Sequence, residues 1–263
     1  MGCCQIQSQN EIKGGTKLDN DDLLSVNIES SKNVISFENE HKDKINLEKM
    51  LRKKNKIKSI DIVFVLDCTA SMTPYMGAVK KLLKQIISDA DSFIRKRNMS
   101  DEALNIGCVT YGDHSQDSAY EGSISKLYPF NCSFYAEYYI DELKFKGGED
   151  DHEAVSDGLY DAVYKLDWNE NSEKFLLHIG DAPPHGNLYK TNGLNDAFPQ
   201  GCPCGKKEDE TLKKMTEMNI KYIVVKINNS IDKMITVFNR YIDVDVITPD
   251  FKVELTEKVS QYN

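Results

Sequence analysis

The run IDIVFVLDCTASM at residues 60–72 constrains the fold of this chain more than any other stretch. Residues 60–66 read as a buried β-strand leading into a loop that presents Asp67, Thr69 and Ser71 at alternate positions. An apolar run that ends in small polar residues and is followed by a helix is the pattern of the first strand in an open α/β sheet. Ligands in such sheets gather at the carboxyl ends of the strands, where these three oxygens fall. One carboxylate and two hydroxyls offer only hard donors. They favour Mg²⁺, with Mn²⁺ or Ca²⁺ also accommodated, over zinc. Taken alone, the same residues also fit a turn that caps the next helix, so a cation site requires ligands from later segments.

Those segments follow in order. Helical spacing begins at Pro74 with Met76, Val79, Leu82, Leu83, Ile86 and Ile87, and predicts a helix to about residue 97. Residues 104–111 read as a second buried strand, 120–130 as a third and 134–143 as a helix. Gly147-Gly148 permits a tight turn, and Glu149, Asp150, Asp151 and Glu153 then stand at the start of a helix, where the dipole favours acids. Residues 175–180 form a fourth strand ending at Asp181, in the segment Asp181-Ala182-Pro183-Pro184-His185-Gly186. A fifth strand at 222–227, a helix at 231–241 and a short strand or tail from 243 complete the pattern. Strands alternating with helices describe a doubly wound α/β sheet covered on both faces.

Asp67-Cys68-Thr69-Ala70-Ser71 after a hydrophobic strand resembles the metal-ion-dependent adhesion site of von Willebrand factor type A domains. The Gly147-Gly148 loop and Asp181 fall where that family carries its second and third metal loops. GGEDDHE and DAPPHG are similar to the alpha-kinase-associated and hemicentin-like subgroup, with His152 in place of a proline, although no kinase domain follows residue 243. The family's commonest pattern has Thr three residues after the second Gly; here Asp151 stands there, so Asp150 and Asp151 are kept together as second-loop donors, with Glu153 a further candidate. The resemblance spans about residues 58–243. It implies a mostly parallel, Rossmann-like sheet and a non-enzymatic interaction module. In that scheme Thr69 and Ser71 bind the cation directly, and Asp67 and Asp181 act mostly through water. A Glu or Asp from a partner protein fills the open position. Two rivals remain: a type A scaffold that binds partners without metal, and a Mg²⁺-dependent phosphatase. The phosphatase of haloacid-dehalogenase type normally requires a second Asp where this chain has Thr69.

Charge argues against a nucleic-acid partner, with 42 Asp+Glu against 33 Lys+Arg and a net charge of −9. Seven cysteines, an odd number and partly inside strands, point with the lack of a cleavable signal to a reducing cytosolic compartment. No window reaches the roughly 18 apolar residues of a membrane span. Residues 1–58 are rich in Asn, Ser, Lys, Glu and Asp and read as a disordered tail before a domain at 59–243 and an extension at 244–263. In the tail, Gly2 is an acceptor for myristate and Cys3 and Cys4 for palmitate. Together they supply the two signals of a stable anchor at the inner face of a membrane. Ile6 stands where the usual acceptor has Ser or Thr, and the alternative is an unmodified tail. KMLRKKNKIK at 49–58 carries six basic and no acidic residues, and is either a solvated linker or an aid to anionic-membrane attraction at about 1 kcal/mol per charge.

Histidines and loop cysteines complete the candidates. His178 reads as a hydrogen-bonded core residue and His185 as a loop imidazole weighed as a ligand. Cys202-Pro203-Cys204 reads as a pair of free thiols, since a structural zinc site needs four ligands, and Cys132 or His185 completes one only if the fold brings them near.

Overall fold

β1 (Ile60–Asp67) is buried along its whole length, and its alternate side chains feed two separate cores. This is a computed structural model, and it describes residues 57–114, 124–191 and 193–249. Gly2, Cys3, Cys4 and most of the basic run lie outside the described residues. Ile60, Ile62, Phe64 and Leu66 face one core, while Val63 and Val65 face the other. A strand buried on both faces must be central, and β1 is.

The remaining strands are β2 (Leu104–Tyr111), β3 (Ser125–Asn131), β4 (Glu173–Gly180), β5 (Ile220–Lys226) and β6 (Val244–Ile247). Their order across the sheet is β3-β2-β1-β4-β5-β6. All neighbours run parallel except β2 and β3. The chain therefore leaves β1 towards one edge, then returns to lay β4 on the opposite side of β1. That reversal opens a crevice at the carboxyl ends of β1 and β4, the place where such sheets bind ligands.

A short 3₁₀ turn (Ala70–Tyr75), with Pro74 inside it, leads into α1 (Met76–Lys96). Val79, Leu83, Ile86, Ile87, Ala90, Phe93 and Ile94 recur at three- and four-residue spacing and are its buried face. Arg95 and Lys96 in the last turn suit the negative end of the helix dipole. α1 and α2 (Ser133–Asp141) cover the first core; α3 (Val155–Tyr164), α4 (Glu208–Glu217) and α5 (Asp232–Phe238) cover the second. α3 approaches the sheet closely at Gly158, where a Cβ would lie 2.5 Å from Tyr111 Cδ1. Only glycine lets the start of this helix rest on the end of β2.

His178 in β4 is a satisfied core histidine. Tyr111 Oη lies 2.8 Å from its Nε2 and Tyr222 Oη 2.8 Å from its Nδ1. Burial pushes its pKa down to about 3, so the ring is neutral. One hydroxyl then donates to the ring and the other accepts from it.

The departures from the sequence reading lie towards the edges. The third strand runs antiparallel at Ser125–Asn131, later than the expected 120–130, of which 120–123 lie outside the described residues. An edge strand with one half-exposed face lacks the continuous apolar run that marked the central strands. The closing helix is a 3₁₀ turn (Asn229–Ile231) followed by α5, and the short strand allowed for after 243 is present as β6, paired to β5, so the sheet runs past the expected domain end at 243.

Candidate metal centre

Asp67 is the last residue of β1, and its carboxylate folds over the loop that follows. Its Oδ1 accepts from Thr69 N at 2.9 Å and from Thr69 Oγ1 at 2.7 Å. Ser71 Oγ donates to Asp181 Oδ1 at 2.9 Å, which ties the end of β1 to the end of β4. Thr69 Oγ1 and Ser71 Oγ are 3.0 Å apart. Each hydroxyl owns one proton, and with Asp67 and Asp181 ionised both protons are spent on carboxylates. A proton retained on either carboxyl frees one hydroxyl to donate to the other.

The second loop is stitched to the first through the backbone. Lys146 N donates to Cys68 O at 2.9 Å and Ala70 N to Gly147 O at 2.8 Å. Gly147 and Gly148 take φ of 81° and 88°, the left-handed region that glycine enters without strain. Past this turn Glu153 N donates to Pro183 O at 2.9 Å, so the second loop is also bound to the third. The Glu153 side chain points back at Gly148: a Cβ there would be 2.8 Å from Glu153 Oε1 and 3.2 Å from Thr69 Cβ. Asp67 Oδ2 and Glu153 Oε2 are buried and have no hydrogen-bond partner among the described residues.

Three carboxylates are thus crowded where three loops meet. Glu153 is pushed up to about 11, by burial first and then by the charges of Asp67, Asp113, Asp150 and Asp181. Asp67 is pushed up to about 7 by burial and by Asp181, against the hydrogen bonds from Thr69. Burial also raises Asp181, although Ser71 donates to it. Without a cation the folded chain keeps protons that the unfolded chain has released. The metal-free fold therefore loses stability as pH rises from the ordinary carboxylate range towards 7 and beyond. A buried all-oxygen set with orphaned carboxylate atoms fits a hard divalent ion.

Asp150 and Asp151 are engaged elsewhere. Asp150 Oδ1 accepts from His152 N at 2.7 Å and its Oδ2 from Ala197 N at 2.7 Å, while Asp151 Oδ2 accepts from Asn195 N at 2.8 Å. Both carboxylates hold the loop at 195–197. Of the acids expected in the second loop, Glu153 is the one whose carboxylate turns back to Gly148, on the side where Thr69 also approaches that glycine. The position of Glu153 at the start of α3 was readable, but nothing in the sequence showed that Asp150 and Asp151 are spent on backbone amides.

His185, weighed as a ligand, has both ring nitrogens occupied. Nδ1 lies 2.9 Å from Asp196 Oδ1 and Nε2 lies 3.1 Å from Asp113 Oδ1. Burial lowers its pKa, and the two carboxylates outweigh that and raise it. This charged triad braces the third loop beside the oxygen cluster.

Comparison with known proteins bears on the family and the fold. The family model for the von Willebrand factor type A region of Mediator complex subunit 25 matches residues 56–240. The alpha-protein kinase vwkA of Dictyostelium discoideum is 30% identical over 171 residues, covering 64% of this chain. The chain spans about a quarter (25%) of that relative's length. Among solved structures, the pilus adhesin SpaC of Lactobacillus rhamnosus GG, in its open conformation, aligns with 74% of this chain and 28% of its own, at 13% identity and a TM-score of 0.51. That likeness is one of fold. A von Willebrand factor type A protein from Catenulispora acidiphila aligns with 73% of this chain and 39% of its own, at 13% identity and a TM-score of 0.46.

Gly148→Ala tests how tightly the second loop is set. The left-handed φ and the approach to Glu153 predict a cost of about 1–3 kcal/mol, read as a melting temperature lower by roughly 2–4 °C for each kcal/mol. An unchanged melting temperature would show that the loop relaxes freely.

Proposed function

Because the chain belongs to the von Willebrand factor type A family, we propose that it is a non-enzymatic interaction module that engages a protein partner through a divalent cation. Thr69, Ser71, Asp67 and Asp181 hold the ion, with Glu153 supplying the second-loop oxygen in place of the expected Asp150 and Asp151. The observation that carries this reading is the pair of orphaned buried oxygens, Asp67 Oδ2 and Glu153 Oε2, beside the hydroxyls of Thr69 and Ser71. Every donor is an oxygen. Mg²⁺ suits that set, and Mn²⁺ and Ca²⁺ are accommodated by the same chemistry.

The cluster opens outward at Ser71, which is exposed, while Asp67, Thr69 and Glu153 are buried. A Glu or Asp of the partner reaches the ion from that side, adding a charge-assisted bond to the surrounding surface. Mg²⁺ retains exchangeable waters, so one can give way to the incoming carboxylate. The phosphatase alternative needs a second carboxylate at position 69, and Thr69 there is committed to Asp67.

One observation favours the metal-independent alternative. The hydrogen-bond series from Asp67 through Thr69 and Ser71 to Asp181 holds the loops in place by itself. The deciding experiment is affinity capture on the full chain with Mg²⁺ or EDTA, alongside Ser71→Ala and Glu153→Gln. The cation reading expects the same partner to be retained with Mg²⁺ and lost with EDTA and in both variants, and the melting temperature of the wild type to rise with millimolar Mg²⁺. A partner that binds equally in EDTA supports the scaffold. Magnesium-dependent hydrolysis of a generic phosphate ester, lost in Asp67→Asn, would return the enzyme reading.

The tail completes the proposal. Acylation at Gly2, Cys3 and Cys4, with the basic run at 49–58, holds the domain at the cytoplasmic face of a membrane; the support is the MGCC sequence and the charge of that run. Metabolic labelling with alkyne analogues of myristate and palmitate checks it. Label on the wild type that disappears in Gly2→Ala is expected, and an unlabelled wild type removes the anchor.

A further inference from the structure

The loop cysteines read as free thiols because Cys202-Pro203-Cys204 supplies only half of a zinc site. Neither Cys132 nor His185 completes it. The fold instead brings two other residues to the pair: His114, just past the end of β2, and Asp157, in the first turn of α3.

We infer that Cys202, Cys204, His114 and Asp157 form a tetrahedral zinc site. It staples the loop between β4 and α4 to the loop after β2 and to the start of α3. One donor atom from each of the four residues lies within 4.8 Å of all the others. Cys202 Sγ is 3.7 Å from His114 Nε2 and 3.2 Å from Asp157 Oδ2, and those two atoms are 3.1 Å apart. Cys204 Sγ is 3.9 Å from the His114 ring at Nδ1. A tetrahedron with zinc–sulfur bonds near 2.3 Å and zinc–nitrogen or zinc–oxygen bonds near 2.0–2.1 Å separates its ligands by roughly 3.3–3.8 Å. Cys202, Asp157 and His114 Nε2 are already near that spacing; Cys204, which meets the ring from its Nδ1 side, lies within 4.8 Å and closes the set by a side-chain rotation.

The surroundings are those of a built site. The Asp157 side chain is 1% exposed and that of His114 is 3% exposed. Phe198 packs edge-on against the His114 ring, with centroids 5.6 Å apart, and fixes its plane. Lys206 Nζ holds Asp157 Oδ1 at 2.6 Å, which leaves Oδ2 turned to the cysteine and histidine. An outer partner of this kind orients a ligating carboxylate. Two thiolates, one carboxylate, Zn²⁺ and the Lys206 ammonium together carry no net charge. Cys204 is exposed and His114 borders an open hollow with Asp113, Asp150 and Phe198, so a metal can reach the cluster from solvent.

Donor chemistry separates this site from the oxygen cluster. Two thiolates and an imidazole select zinc over magnesium, and the two sites share no ligand. The zinc inference therefore stands or falls independently of the proposed cation-dependent binding.

The test uses the full chain purified under reducing conditions, without chelator, from cells grown with added zinc, with metal measured by mass spectrometry. One zinc per chain is expected in the wild type and in Cys132→Ser, with loss in Cys202→Ser, Cys204→Ser and His114→Ala. Replacement by Co²⁺ should give the intense sulfur-to-cobalt absorption and strong visible bands of a tetrahedral thiolate site, unchanged in Ser71→Ala. Substoichiometric zinc in a folded wild type after zinc is supplied, full zinc in either Cys202→Ser or Cys204→Ser, or a cobalt spectrum without the sulfur band would overturn the inference. If the cysteine variants fail to fold, as far-ultraviolet circular dichroism would reveal, the wild-type cobalt spectrum decides alone.

Discussion

The crowding of Asp67, Glu153 and Asp181 at the carboxyl ends of β1 and β4 is the constraint to which the surrounding loops answer. The sheet order places two of these acids at neighbouring strand ends, and the start of α3 brings the third. Carboxylates this close in a buried setting cannot all ionise without a compensating charge, because burial penalises each one and mutual repulsion adds to that. Their pKa values lie above the ordinary range for this reason. Thr69 and Ser71 each reach a carboxylate of the cluster, Thr69 that of Asp67 and Ser71 that of Asp181. A divalent cation, as proposed, would compensate these charges at once.

The rest of the edge is arranged to hold that crowding in place. Backbone hydrogen bonds join the first loop to the second and the second to the third, so the donors do not depend on side-chain contacts alone. The His185 triad with Asp113 and Asp196 fixes the third loop beside them. Farther along the same loop system, softer donors collect around Cys202 and Cys204. The oxygen cluster and the cysteine cluster thus stand on neighbouring segments and share no residue.

The central strands were legible because a strand buried on both faces is written as a local apolar run, as in residues 60–66 and 104–111. The first loop was legible for a similar reason: Asp67, Thr69 and Ser71 sit within five residues, and Asp181 directly follows β4. The second loop was harder. Asp150, Asp151 and Glu153 are chemically alike, and only the path of the chain decides that the first two cap backbone amides at 195–197 while the third turns back to Gly148. The cysteine cluster was out of reach for the same reason at longer range, since His114, Asp157 and Cys202 are separated by 43 and 45 residues in sequence. The edge strand β3 lacks the apolar continuity that betrays a central one, so its start was misplaced.

The most direct measurement of the central claim is calorimetric titration of Mg²⁺ into the metal-free chain between pH 5.5 and 8, in buffers of differing ionisation enthalpy. Asp67, raised to about 7, and Glu153, raised to about 11, hold protons that the ion must displace. The account predicts proton release on binding, seen as a heat that depends on the buffer, and an affinity that rises with pH across this range. Mg²⁺ binding of constant affinity with no proton release, or no binding at any pH, would contradict it.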